Sequence, residues 1–261
     1  MLIAHISDFH LFANEPETPP VRLDIERVAR RIVDDLANFS PTLDAVAFTG
    51  DVADGGSTAD YDMLKDVLAP LKVPVLIVPG NHDRRANLRA AFADRLPFET
   101  GSFLNYETQI DGLRVLALDT LVEGEVAGAL APESIEWLTG KLDRRTKEPT
   151  LILLHHPPFP SGIKPLDGNA LIAGREEIAT LVRNYGGSLI LLAGHIHRPY
   201  QAIWNGAYCA VGGSPAFQVS LDLAATVHEP GCITEPYSYF VYRIEVDGTM
   251  AVHTRHIPIE N

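Results

Sequence analysis

Five short apolar runs in this chain each end in a cluster of groups able to bind protons or metals, and that repetition limits the fold more than any other feature. Leu2 to Ser7, Ala45 to Thr49, Val75 to Val78, Thr150 to Leu154 and Ser188 to Ala193 are rich in β-branched residues or leucine. Runs of that length and make-up read as buried strands. The clusters that follow them are Asp8-Phe9-His10, Gly50-Asp51, Gly80-Asn81-His82-Asp83, His155-His156 and Gly194-His195-Ile196-His197.

Between the first runs lie segments with helical spacing. Ile25, Val28, Ala29, Ile32, Val33 and Leu36 form an amphipathic stripe, one face of a period of 3.6. Ser57 with Asp60 fits a capping box ahead of Tyr61, Leu64, Leu68 and Leu71, because each side chain can satisfy the other's backbone N–H. Pro132 suits the first turn of a helix carrying Ile135, Leu138 and Leu142. Strand thus alternates with helix, as in sheets joined by crossover helices.

After His197 the character changes. Tyr200 to Trp204, Tyr208 to Val211, Phe217 to Leu221, Ser238 to Val246 and Met250 to His256 read as strands, with hairpin turns at Asn205-Gly206 and Asp247-Gly248. The expectation is one α/β domain over residues 1–261, with a second sheet packed on the first. Its hairpin-rich part, from about residue 198 to the end, is expected to take part in oligomerisation. Pro157 to Gly174 and Gly212 to Pro236 read as long surface loops, which in a compact domain are usually functional or interfacial. Phe217, Val219 and Leu221 look exposed there, and an apolar edge needs a cover such as a second subunit.

Taken singly the clusters say little, since an Asp-x-His or a Gly-Asp is most often a turn. Together they are hard to explain by packing, because a polar group buried without a partner costs a few kcal/mol. Ligands collect at the carboxyl ends of strands in open α/β sheets, and a shared metal centre supplies every cluster with a partner. Imidazoles, carboxylates and an amide without thiolate suit Fe, Mn, Zn or Co, while so many imidazoles disfavour calcium and magnesium. The ligands are too many for one ion. Two ions about 3.5–4 Å apart, sharing a carboxylate, would clamp a phosphoryl group undergoing in-line displacement.

The formal net charge of −13 argues against wrapping a polyanion, since nucleic-acid binders present a basic face. Two divalent ions, only partly neutralised by Asp8 and Asp51, would restore a local positive focus inside an acidic protein. The start of the chain has no basic and apolar leader, and no run reaches membrane-spanning length. A cytoplasmic protein without membrane or nucleic-acid partners is therefore expected, with Cys209 and Cys232 as reduced thiols.

The ordered set D-x-H, G-D, G-N-H-D, H-H and G-H-x-H, spanning Asp8 to His197 and roughly three quarters of the chain, resembles the signature of calcineurin-like metallophosphoesterases. That resemblance implies a four-layer α-β-β-α sandwich of two mixed β-sheets flanked by helices, with a dinuclear site above the strand ends. It also implies that Asp8, His10 and His197 hold one ion, that Asp51 bridges, and that Asn81, His156 and His195 hold the other. Neighbouring strand residues face opposite sides, so only one of His155 and His156 can easily reach the metal, and the family pattern favours His156. His82 would stand near the phosphoryl group as acid or charge stabiliser, oriented by Asp54. His5, His228, His253 and His256 match no block.

Phosphoprotein phosphatases of this superfamily carry an arginine after the second Asp of G-D-x-x-D-R-G, where it grips a phosphate dianion. Here Asp54 is followed by Gly55-Gly56, which favours singly charged diesters. The length, the His155-His156-Pro157-Pro158 run and the hairpin-rich end most resemble the cyclic-nucleotide and glycerophosphodiester phosphodiesterases of bacteria. The implied activity is hydrolysis of a small phosphodiester by a metal-activated hydroxide in a homodimer or higher homo-oligomer. A phosphomonoesterase, nucleotidase or pyrophosphohydrolase with the same site is the alternative, and a non-catalytic scaffold the most remote one.

Overall fold

The computed structural model describes residues 1–143, 149–224, 231–245, 247 and 249–259. Its first elements are β1 (Leu2–Ile6), α1 (Ile25–Ala37), β2 (Ala45–Phe48), α2 (Thr58–Leu68), β3 (Val75–Ile77) and α3 (Arg85–Phe92). Then come β4 (Tyr106–Ile110), β5 (Leu113–Ala117), β6 (Gly128–Ala129), α4 (Pro132–Leu142), β7 (Thr150–Leu153) and α5 (Lys164–Asp167). β8 (Leu171–Ala173), α6 (Arg175–Tyr185), β9 (Leu189–Ala193), β10 (Tyr200–Trp204) and β11 (Ala207–Val211) follow. The last strands are β12 (Gln218–Val219), β13 (Cys232–Ile233), β14 (Tyr237–Ile244) and β15 (Met250–Ile257).

Two mixed sheets carry the fold. The first has the order β15-β14-β1-β2-β3, and the second β10-β11-β9-β7-β5-β4. β1, β2 and β3 run parallel, with Ile3 opposite Ala45 and Phe48 opposite Ile77. β5, β7, β9 and β11 are parallel as well. Hairpin strands close the edges, since β14 pairs antiparallel with β1 and β4 with β5. The C-terminal strands therefore complete the same two sheets.

Side-chain alternation in the second sheet separates two cores. Val115, Ala117, Leu151, Leu153, Ile190 and Leu192 join the core that also holds β1, β2, and the buried faces of α1 and α2. The residues between them, Leu116, Ile152 and Leu191, pack instead with Leu138 of α4 and with Ile178 and Val182 of α6. A period of two thus sends one face of the sheet to the other sheet and one to the helices. Each leucine or isoleucine buried fully this way contributes roughly 1.5–3 kcal/mol.

Local signals in the sequence match their elements. The stripe expected from Ile25 to Leu36 is the buried face of α1. At α2, Ser57 Oγ accepts from Asp60 N at 3.2 Å while Asp60 Oδ2 accepts from Ser57 N at 2.8 Å. Asn205 and Gly206 both take positive φ, 50° and 87°, as a tight hairpin turn requires. Asp111 and Gly112 do the same at 42° and 88°, and build the β4–β5 hairpin that the sequence reading left out.

Several expectations need correction. The stretch read as a loop from Pro157 to Gly174 contains α5 and β8, and β8 pairs with β6. The strand expected over Phe217 to Leu221 shrinks to β12, paired with β13. Val219 is buried and Phe217 is half-buried, so only Leu221, 59% exposed, fits the apolar edge proposed for an interface. Val246, Gly248 of the expected turn, and His228 lie outside the described residues. No helix among the described residues is long and apolar enough to cross a membrane. Cys209 is buried, Cys232 is exposed, and neither forms a disulfide.

Gly140 lies on the exposed face of α4, and a Cβ built there would meet nothing within 4 Å. Glycine in a helix interior costs about 0.5–1 kcal/mol relative to alanine. Gly140→Ala is expected to raise stability by about that amount, seen as a higher urea midpoint at an unchanged slope. A midpoint that stays or falls would contradict this packing.

Candidate metal centre

All five clusters stand at the carboxyl ends of parallel strands. Asp8 and His10 follow β1, Asp51 follows β2, and Asn81 and His82 follow β3. His155 and His156 follow β7, and His195 and His197 follow β9, so the second sheet brings its groups to meet those of the first. Pairing between β1 and β2 continues past the strands: Asp8 N–H donates to Gly50 O at 3.0 Å and His10 N–H to Asp51 O at 2.9 Å. That keeps the three acidic and imidazole side chains abreast.

The backbone is strained at these positions. Asp8, His10, Asp51, His195 and His197 have φ of 56°, 48°, 47°, 73° and 54°. The other non-glycine residues of positive φ among the described residues are Asp111 and Asn205 in hairpin turns. A side chain held in the left-handed region costs of order 1–3 kcal/mol and persists where its surroundings over-determine it. Five such residues around one point are an arrangement that packing alone does not explain.

The hydrogen bonds fix which ring nitrogens carry protons. His10 Nδ1–H donates to Asp54 Oδ1 at 2.9 Å and His197 Nδ1–H to Phe217 O at 3.0 Å. Each therefore turns a bare Nε2 lone pair inward, and the two Nε2 atoms are 3.2 Å apart. His155 Nδ1–H donates to Thr49 O at 2.7 Å, which leaves its Nε2 3.1 Å from Asn81 Oδ1 and 3.3 Å from Asp51 Oδ2. His195 Nε2–H donates to Asn169 O at 2.9 Å, and its bare Nδ1 lies 3.0 Å from the same Asn81 oxygen. Between His10 and His197, and between His195 and Asn81, acceptor thus faces acceptor, and shared positive charge is what such a donor set fits.

Asp51 lies between the two halves. Its Oδ2 is 3.5 Å from His10 Nε2 and 3.3 Å from His155 Nε2, while its Oδ1 accepts the His82 N–H at 2.8 Å. Asp8 Oδ1 is 3.4 Å from His197 Nε2. Among the described residues Asp8, His10, Asp51 and His197 form one group able to hold an ion, and His155, His156 and His195 form another, with ligand atoms within 4.8 Å of one another.

Burial pulls His10, His156 and His197 below the ordinary histidine range and His195 down to about 3. It pushes the Asp8 carboxyl up. At His155 burial is outweighed by the Asp51 carboxylate, which holds the ring up at about 9. Asp51 is correspondingly held well below the usual carboxylate range, despite burial, by His155 and its neighbours. The His155 proton offsets one buried carboxylate, a role that a cation between the same groups would take over.

The geometry adds detail to two sequence expectations. His156 lies beside the centre but has both nitrogens engaged by the protein: Nδ1 with the Thr120 hydroxyl at 2.8 Å and Nε2 with Val126 O at 3.1 Å. The nitrogen that faces Asn81 and Asp51 is His155 Nε2. Strand alternation does not decide between them, because β7 ends at Leu153 and the two histidines sit in the turn beyond it. The Asp54 carboxylate hydrogen-bonds His10 and lies 3.7 Å from His82 Nδ1, and its Oδ2 accepts the N–H groups of Glu17 and Thr18 at 2.5 and 2.9 Å. His82 uses the Asp54 backbone instead, with Nδ1–H donating to Asp54 O at 3.0 Å.

Sequence reasoning also missed Asp83 as a brace. Its Oδ2 accepts from Gly80 N at 2.8 Å and its Oδ1 from the Tyr61 hydroxyl at 3.0 Å, and burial pushes its carboxyl up to about 6. Its place in Gly80-Asn81-His82-Asp83 was the available signal. His5, outside the motif, is a satisfied core residue, with Nε2 2.9 Å from the Thr49 hydroxyl.

A model of the calcineurin-like phosphoesterase family matches residues 1–199. The chain belongs to that family. It is 31% identical, over 98% of its own length and 93% of the relative's, to the "Probable glycerophosphodiester phosphodiesterase GpdQ" of Arcobacter nitrofigilis. It is also 31% identical to the 3',5'-cyclic adenosine monophosphate phosphodiesterase CpdA of Escherichia coli, over 78% of this chain and 72% of that one. Among solved structures, sulfate thiohydrolase SoxB of Thermus thermophilus has a TM-score of 0.52 at 12% identity. That alignment covers 98% of this chain and 56% of the other, and shows a shared fold.

Family membership agrees with the tight packing of the motif glycines. A Cβ on Gly80 would stand 2.2 Å from Asp51 Oδ1 and 2.3 Å from Asp51 N. Gly80→Ala is expected to displace Asp51 and lower stability by about 1–3 kcal/mol, read as a lower melting temperature. A variant with wild-type melting would show that the turn has room the geometry denies.

Proposed function

We propose that the chain hydrolyses small phosphodiesters at a centre of two divalent ions, Fe, Mn, Zn or Co, and the observation carrying this is the set of inward lone pairs that face one another. Asp8, His10 and His197 would hold one ion, Asn81, His155 and His195 the other, and Asp51 both. His155 replaces the expected His156 because its Nε2 faces Asn81 and Asp51, whereas both nitrogens of His156 are engaged by Thr120 and Val126. When bound, such a pair of ions supplies Lewis acidity to the phosphoryl group and lowers the pKa of water. The diester preference is supported by the substrates in the names of the two relatives and by the absence of a cationic side chain after Asp54.

The chain's own residues then have definite tasks. Asp54 fixes the tautomer and angle of His10, as a carboxylate behind a ligating imidazole does. His82 keeps its Nδ1–H on the Asp54 carbonyl, so its Nε2 is the end that exchanges a proton. With its side chain 28% exposed, His82 is placed to meet a substrate beside the fully buried rings of His10 and His155. Protonated, it would donate to the leaving oxygen.

A bis-nitrophenyl phosphate is expected to be cleaved faster than the mono-ester once Mn, Zn or Fe is restored. Faster mono-ester turnover would point to the nucleotidase alternative. His155→Ala is expected to lose one ion per chain and His156→Ala to keep two, counted by elemental analysis on folded protein. The reverse pattern would return the ligand role to His156.

General acid help is worth typically 10²–10⁴-fold, and an alkoxide needs it far more than a nitrophenolate. His82→Ala is therefore expected to depress kcat/KM for an alkyl diester by that order and for a nitrophenyl diester much less, at unchanged metal content. Equal losses on both esters would leave His82 as a charge stabiliser.

A further inference from the structure

The two sheets supply different parts of the centre, and their spacing has to be set by something outside either sheet's own ladder. Asp8, His10, Asp51 and Asn81 follow first-sheet strands, whereas His155, His195 and His197 follow second-sheet strands. On the side of Asp8, His195 N–H reaches Asp8 Oδ1 at 3.0 Å, and His155 Nδ1–H reaches Thr49 O at 2.7 Å. On the side of Asn81, the Tyr106 hydroxyl donates to Ile77 O at 3.1 Å and so secures the end of β3. The turn beyond β3, which carries Asn81 and His82, extends past that anchor.

Its far end is held by an ion pair. Arg85 Nε donates to Asp119 Oδ2 at 2.6 Å and Nη2 to Asp119 Oδ1 at 3.1 Å, a bidentate fork, and Nη2 also reaches Leu121 O. The Asp119 side chain is fully buried and its oxygens also accept from Leu104 N at 2.9 Å and Leu121 N at 3.0 Å. Asp119 lies just past β5, the neighbour of the β7 strand that leads to His155. Thr120 beside it holds His156, whose ring lies 4.6 Å from that of His195. A planar guanidinium in a partly buried bidentate fork tolerates little displacement.

We propose that the Arg85–Asp119 pair is the positioning device that sets the distance between Asn81 and the rings of His155 and His195, and with it the metal affinity of that half of the centre. This rests on the two-ion reading above. Arg85 touches neither substrate nor ion, and acts through the turn from Gly80 to Arg85. Partners outside the ligand set typically shift metal affinity 10–100-fold.

The test is a titration of purified chain with Mn or Zn against a chelating dye, for wild type, Arg85→Ala, Arg85→Lys and Asp119→Asn, with melting curves to establish folding. The wild type should take up two ions. Arg85→Ala and Asp119→Asn should bind one ion with wild-type affinity and the other roughly 10–100-fold more weakly. Arg85→Lys, which keeps the charge but not the fork, should fall between, and it decides the matter should Arg85→Ala not fold. Excess metal should restore kcat, as removal of a catalytic group would not allow. Arg255→Ala, which breaks a surface pair with Asp35, should change neither affinity. Two ions bound as tightly in folded Arg85→Lys and Asp119→Asn as in wild type would overturn the proposal, and so would equal weakening of both. A wild type that binds no ion would sink the reading of the centre itself, and this inference with it.

Discussion

Everything in this structure turns on lone pairs brought face to face in a buried place. His10 and His197 oppose their bare nitrogens at 3.2 Å, and the bare Nδ1 of His195 points at the Asn81 oxygen. Such contacts repel one another in a low-dielectric interior. The outward nitrogens are tied to backbone carbonyls or Asp54, so no ring can turn over to escape. A cation at the focus would turn these repulsions into attractions.

That constraint accounts for features which would otherwise count as defects. Five strained residues and the approach of Gly80 to Asp51 gather the groups of the strand ends, and the Cβ space denied at Gly194 by Ser7 and Asp8 lets the two sheets converge. Their cost is offset by the two apolar cores, which are built from strands covered on both faces. Stability is generated in the sheets and consumed at their ends.

Much of this was legible in the chain. Strands, the α1 stripe, the Ser57 cap and the five clusters follow from periodicity and local chemistry, because burial on both sides leaves an unbroken apolar signal. The choice between His155 and His156 was not legible, since alternation holds only within a strand and β7 stops before them. Nor could sequence show that Asp54 serves His10, a partnership made by the continued pairing of Leu11 with Ala53 beyond the strands. The Asp119 brace was passed over although Val115 to Leu118 followed by Asp119-Thr120 repeats the pattern of the five runs. Arg114 interrupts that run, and only the structure shows it paired with Glu107 at 2.7 Å.

The groups that meet at the centre are far apart along the chain: His10 and His197 touch although they are 187 residues apart. No partly folded fragment containing one sheet holds both, so the donor set comes into being only when the two sheets dock. An ion caught there acts as a cross-link closing a very long loop, the kind whose closure removes most freedom from the open chain. Occupancy of the centre would thus double as a record that the sandwich has been assembled in the right register, and its loss would be the first sign of the sheets parting.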